Sequence, residues 1–158
     1  MISLKKILFA TDFSDCARSA QVYAVALAGQ FQSELHVVHV LADVMMMMPE
    51  PGSALSLPQN YLVDLKQEAE RALDKNLSDA AAKGLRVTRA LRMGNPFVEI
   101  VKYAEEVEID LIVVGTHGRG GLGHLLLGSV AEKVVRKAQC PVLTVRPSGH
   151  QFVTPEQE

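Results

Sequence analysis

The sequence predicts an α/β fold: a three-layer sandwich in which a five-stranded, mainly parallel sheet lies between two layers of helices. Three observations lead there. Short apolar runs at 7–9 and 111–114 show no alternation, as in strands covered on both faces. Helical stripes of apolar residues alternate with such runs along the whole chain. A loop with glycines at 115, 118, 120, 121 and 123 follows the fourth strand, and a helix opens soon after it. At 158 residues, 48% hydrophobic and 22% charged, the chain suits one globular domain with a real core, expected over 1–147.

The elements follow in order. Residues 6–11 form the first strand, and Thr11, Asp12, Phe13 and Ser14 break it, with Asp12 or Ser14 as the cap of a helix. Ala17, Ala20, Ala24, Leu27, Ala28 and Phe31 recur at helical spacing, the inner stripe of a helix over 14–32. Its many alanines let it lie close to a sheet. The second strand covers 35–41. His36 and His39, three apart on it, face opposite ways, which argues against a shared metal.

Residues 43–59 hold four consecutive methionines (45–48) and prolines at 49, 51 and 58, so they read as a flexible loop. A long amphipathic helix spans 60–83. Leu62, Leu65, Ala69, Ala72, Leu73 and Leu77 line its inner face, and Gly84 stops it. In the third strand Leu85, Val87 and Leu91 alternate with Arg86, Thr88, Ala90 and Arg92, the pattern of a sheet edge with one wet face. Asn95 and Pro96 start the next helix as cap and first residue, and Phe97, Ile100, Val101, Ala104 and Val107 face inward. After the glycine loop, Ser129 and Glu132 form the S-x-x-E capping pattern of a last helix carrying Val130, Val134 and Ala138 on one stripe. A fifth strand covers 142–145, and a polar tail follows at 148–158.

Strands alternating with helices imply right-handed crossovers and a Rossmann-like, flavodoxin-like arrangement, expected in strand order 3-2-1-4-5. Ligands of such sheets bind at the carboxyl ends of the strands, where the strand order reverses. The turn after the first strand and the glycine loop after the fourth meet there if strands one and four are neighbours. Glycine backbone and a helix start together offer N–H groups to an anion.

Composition excludes other classes. A net charge of −2 leaves no basic footprint for nucleic acid. No apolar run approaches the ~18 residues of a membrane span, and the first residues lack a signal-peptide pattern, so a cytoplasmic protein is expected. Cys16 and Cys140 make neither a disulfide framework nor a metal set. The G-x4-G-K-[ST] loop, the G-x-G-x-x-G fingerprint and the G-x-S-x-G elbow are all missing. No base and nucleophile pair is visible, so no catalytic residue and no metal site are assigned, and any cleavage of a bound nucleotide should be slow.

Gly115, Gly118, Gly128 and Ser129 satisfy G-x2-G-x9-G-[ST]. With the turn from Ala10 to Ser14 and Cys140-Pro141-Val142, they resemble the universal stress protein family, in its ATP-binding branch, over residues 4–146. The resemblance implies a nucleotide site made of Ala10, Thr11, Asp12, Val40, Val114, Gly115, Gly118, Arg119, Gly128, Ser129 and Val130. Asp12 would meet adenine or ribose groups and Val40 would pack near the base. Gly115 and Gly118 would pass the ribose and phosphates, and Gly128, Ser129 and Val130 would hold phosphates. Ala10 stands where the family often has proline. Arg119 is suited to pair with phosphate, and His117 and His124 flank the loop. The occupant would be ATP, ADP or AMP, with or without magnesium. The resemblance also implies a homodimer through 142–145 and a nucleotide-dependent regulator of stress responses with unknown protein partners. The alternative is a nucleotide-independent, dimeric protein-interaction or signalling module.

Overall fold

The computed structural model describes residues 2–42, 60–82, 84–117 and 127–147. The expectations for the methionine loop, for Gly118, Arg119 and His124, and for the tail lie outside the described residues. Among the described residues nine elements alternate: β1 (Lys6–Ala10), α1 (Asp15–Phe31), β2 (Glu34–Ala42), α2 (Tyr61–Ala82), β3 (Val87–Gly94), α3 (Pro96–Glu106), β4 (Leu111–Gly115), α4 (Ser129–Lys137) and β5 (Val142–Val145). The sheet runs β3-β2-β1-β4-β5, as expected, and every neighbouring pair is parallel.

Central strands bury both faces. Ile7, Leu8, Phe9, Ile112 and Val113 are all fully buried. Their side chains alternate between two cores. One holds Ile7, Phe9, Leu35, Val37 and Val113 against α1 and Leu73 of α2. The other holds Leu8, Val38, Ile112 and Val114 against Ile100, Tyr103 and Ala104 of α3 and Ala131 and Val134 of α4. The helix after β1 thus covers one face and the helix after β4 the other. The strand order reverses between β1 and β4, and the crevice of the fold opens at their carboxyl ends.

Alanine explains the closeness of α1: Ala20, Ala24 and Ala28 are fully buried, with no bulk between helix axis and sheet. Three expected inner residues are not inside. Phe31 is 41% exposed, because the alanine stripe runs out where Gln32 turns left-handed (φ 55°) to end the helix. Leu62 is 46% exposed: it lies in the first turn of α2, whose buried contacts come from Ala69 and Leu73 further on. Val130 is 37% exposed, and the adjacent Ala131 takes its place against the sheet. β3 begins two residues later than its alternation suggested, although Leu85 still packs against the core.

Candidate functional site

Two turns face each other across the reversal. The pairing Ala10↔Val114 places the ends of β1 and β4 side by side. After β1, Thr11 Oγ1 accepts from Phe13 N–H at 3.0 Å, and Asp12 Oδ1 accepts from Ser14 N–H at 3.0 Å. Ser14 then caps α1, its Oγ accepting from Ala17 N–H at 3.2 Å. Of the two expected caps, Ser14 fills the role, and Asp12 closes the turn before it. Thr11 is tied back to β2 by its N–H, which donates to the Val38 carbonyl at 2.9 Å.

The turn after β4 is built differently. Thr116 N–H donates to the Val145 carbonyl, and Gly128 N–H donates to the Thr116 carbonyl. A Cβ on Gly128 would stand 3.0 Å from that same carbonyl oxygen. A Cβ on Gly115 would stand 2.9 Å from Cys16 Sγ and 3.1 Å from the Cys16 backbone. Both motif glycines are therefore fixed by close approach of backbone to backbone. Gly115 lets the start of α1 press on β4, and Gly128 lets α4 start against the end of β4.

One expectation is corrected here. Ser129 is not the cap of α4 and makes no capping box with Glu132. The cap is Gly128, which has no side chain to offer, and Ser129 is the first helical residue. The bond from Gly128 to Thr116 sets the start of the helix one residue earlier. Glu132 instead pairs with Arg136 at 3.0 Å on the surface. The N–H groups of Ser129, Val130 and Ala131 consequently have no acceptor within the helix and no capping side chain.

The other predicted residues gather as follows. Ala10, Val40 and Val114 share the sheet face covered by α3 and α4. Thr11 is buried, Asp12, Gly115 and Gly128 are partly exposed around them, and Ser129 is exposed. Three residues join the site that the sequence pattern did not assign to it. Cys16 Sγ, buried, accepts from His117 N–H at 3.4 Å and lies 3.8 Å from Thr116 Oγ1. Thr116 is buried at the floor of the crevice. His39 Nδ1 meets the Thr11 carbonyl at 2.7 Å. Contacts such as Cys16 with Thr116 join positions 100 residues apart in the chain.

His36 is separate from this site. On the opposite face of β2 from His39, it is buried with Nδ1 2.9 Å from the Tyr103 hydroxyl. Its Nε2 stands 3.3 Å from Glu34 Oε1 without a hydrogen bond. Burial holds the His36 imidazole below its ordinary range, against the opposing pull of Glu34. Glu34 is itself held low by the Thr88 hydroxyl that donates to it at 2.7 Å. Burial pushes Tyr103 up. Among the described residues no group of three or more His, Cys, Asp or Glu is placed to hold a metal. Both cysteines are free, and burial raises Cys140. A hollow of about 240 Å³ lies at the amino ends of β4 and β5, lined by Ala104, Glu105, Glu108, Ile109, Gln139 and Cys140, away from the two turns. No helix among the described residues is long and apolar enough to cross a membrane.

The family model "Universal stress protein family" matches residues 3–146. Universal stress protein MJ0531 of Methanocaldococcus jannaschii is 38% identical over 143 residues, covering 90% of this chain and 82% of that protein. The solved structure of protein MJ0577 from the same organism superposes with a TM-score of 0.82 at 31% identity, covering 94% of this chain and all of that one. A universal stress protein in complex with cAMP is 26% identical at a TM-score of 0.70, covering 93% of this chain and all of its own. One from Archaeoglobus fulgidus in complex with dAMP is 27% identical at 0.63, covering 92% and 99%. The chain belongs to the universal stress protein family.

Proposed function

We propose, from that membership, that this chain binds an adenine nucleotide in the crevice between β1 and β4, and that occupancy regulates its part in a stress response. One observation supports the reading: α4 starts against the end of β4 with glycine as its cap and no side-chain cap bond, and β4 pairs with β1, which leads into the Thr11–Asp12 turn. A helix start is a ready site for phosphate, through its free N–H groups and the positive end of its dipole. Ser129 and Val130 serve the phosphates, with Gly118 and Arg119 from the glycine loop. Ala10, Thr11 and Asp12 meet the ribose and base, and Val40 and Val114 supply apolar contact. Gly115 and Gly128 shape the crevice by what they lack. The relatives solved with cAMP and dAMP support an adenine nucleotide as occupant.

ATP is the proposed ligand, with ADP and AMP as competitors and magnesium as a passenger on the phosphates. Hydrolysis is slow or nil, in keeping with a sequence that offers no base and nucleophile pair. The protein acts in the cytoplasm as a homodimer. β5 pairs with β4 on one side, and its other edge suits a second copy.

Equilibrium binding of labelled ATP tests the reading, with mass spectrometry of small molecules released from the purified protein. Saturable binding that is lost in Gly118→Val is expected. No binding at millimolar ATP, with Gly118→Val identical to wild type, overturns it and leaves a nucleotide-independent interaction module. Sedimentation tests the dimer: Leu143→Asp should yield monomers, and an unchanged dimer excludes β5 as its interface.

A further inference from the structure

We propose that His39 is a positioning residue of this site, fixing through the Thr11 carbonyl the angle at which Asp12 meets the nucleotide. The inference rests on the reading above that an adenine nucleotide occupies the crevice.

The turn after β1 closes on itself through two local hydrogen bonds, from Phe13 N–H to Thr11 Oγ1 and from Ser14 N–H to Asp12 Oδ1. Bonds of that kind shape a turn without aiming it. Its aim relative to the sheet is set from β2. The Val38 carbonyl accepts from Thr11 N–H at 2.9 Å, and His39 Nδ1 lies 2.7 Å from the Thr11 carbonyl. The two polar groups of one peptide residue are thus held by residues adjacent on the neighbouring strand. A carbonyl only accepts, so Nδ1 carries the proton, and the hydrogen bond sets the tautomer of His39.

The ring does a second thing. Phe13 stands at φ 64°, a conformation that bulky residues rarely adopt. Its ring lies against His39, with centroids 4.4 Å apart and planes at 37°. One imidazole therefore pins the residue before Asp12 by hydrogen bond and the residue after it by ring contact. His39 itself lies on the α1 side of the sheet, and its neighbour Val40 lies on the side of the proposed base. His39 therefore acts on the nucleotide through the turn and does not touch it.

The test has two arms, both on the full chain. Nitrogen-15 NMR of the nucleotide-free protein should show His39 carrying a proton on Nδ1. The reverse tautomer overturns the proposal whether or not nucleotide binds. ATP affinity is then compared for wild type, His39→Leu, His39→Asn, Asp12→Ala and the double variant Asp12→Ala/His39→Leu. His39→Leu should weaken binding about tenfold, as for a lost positioning hydrogen bond. His39→Asn, which keeps a donor at the position of Nδ1, should recover most of the loss. The double variant should bind no worse than Asp12→Ala alone, because His39 acts through Asp12. Should His39→Leu fail to fold, His39→Phe, which keeps the ring and loses the donor, takes its place with the same expectation. Unchanged affinity in the His39 variants, or additive losses in the double, overturns this inference while the nucleotide reading stands. Absence of ATP binding by wild type overturns both.

Discussion

The turns after β1 and β4 meet at one crevice and are built by opposite means. The first is made of side chains: Thr11, Asp12 and Ser14 each bond a backbone N–H, and His39 reaches in from β2. The second is made of what is missing: Gly115 and Gly128 let backbones touch, and main-chain bonds through Thr116 hold them. The contrast teaches how each can fail. A turn made of side chains weakens when atoms are removed, and one made of close approaches weakens when atoms are added. The helix after the first turn has a side-chain cap in Ser14, and the helix after the second has glycine as its cap and no side-chain cap bond.

The largest effect should come from Gly115→Val. Its Cβ would be forced into Cys16 Sγ and the Cys16 backbone, the latter unable to give way. A loss of about 3 kcal/mol in denaturant-unfolding stability is expected. A normal midpoint would mean that α1 moves off β4 freely and that the contact is not what fixes this glycine. Gly128→Ala should cost about 2 kcal/mol, through its 3.0 Å approach to the Thr116 carbonyl, and should weaken ATP binding as α4 shifts. Its φ of −70° suits alanine, so any loss reports the clash and not the backbone angle.

Removing atoms from the first turn should do less. Ser14→Ala should cost about 1 kcal/mol, the ordinary worth of a helix cap, by the same unfolding measurement. Ser129→Ala should leave stability nearly unchanged, because Ser129 caps nothing, and should weaken ATP binding if its side chain serves the phosphates. A stability loss equal to that of Ser14→Ala would restore Ser129 as a cap and blur the contrast.

The smallest effect lies outside both turns. His36 is held below its ordinary value of 6.5 by burial, so the unfolded chain takes up its proton first. Stability from this group is complete above pH 6.5 and declines as pH falls from there through the lower folded-state value. Glu34, held below 4.5, adds its own loss only under that pH. His36→Gln should flatten the decline in unfolding midpoint that sets in as pH falls below 6.5. ATP affinity should not follow it, since His36 belongs to the β2–α3 contact.

The sequence made the sheet legible because buried parallel strands read as short apolar runs, as at Ile7, Leu8 and Phe9, and because each is separated by one helical stripe. Errors fell where tertiary contact overrides local pattern. Ser129 and Glu132 have the spacing of a capping box, yet a main-chain bond from Gly128 to Thr116 moves the start of the helix. Phe31 and Leu62 continue their stripes in sequence, but lie in the terminal turns of their helices. The spacing of His36 and His39 places the two on opposite faces of β2, as found. The Thr11 carbonyl that His39 holds, 28 residues away, leaves no local signal. Cys16 had one available clue: a glycine ending a fully apolar strand marks a place where another backbone comes close.

Amide NMR of the nitrogen-15-labelled protein, titrated with ATP, tests the central claim most directly. Saturable shifts concentrated at Thr11, Asp12 and Val40 on one side and at Ser129, Val130 and Ala131 on the other are the expected result. Shifts confined to the hollow around Glu105, Glu108 and Gln139, or none at millimolar ATP, would contradict the claim that a nucleotide bridges the two turns.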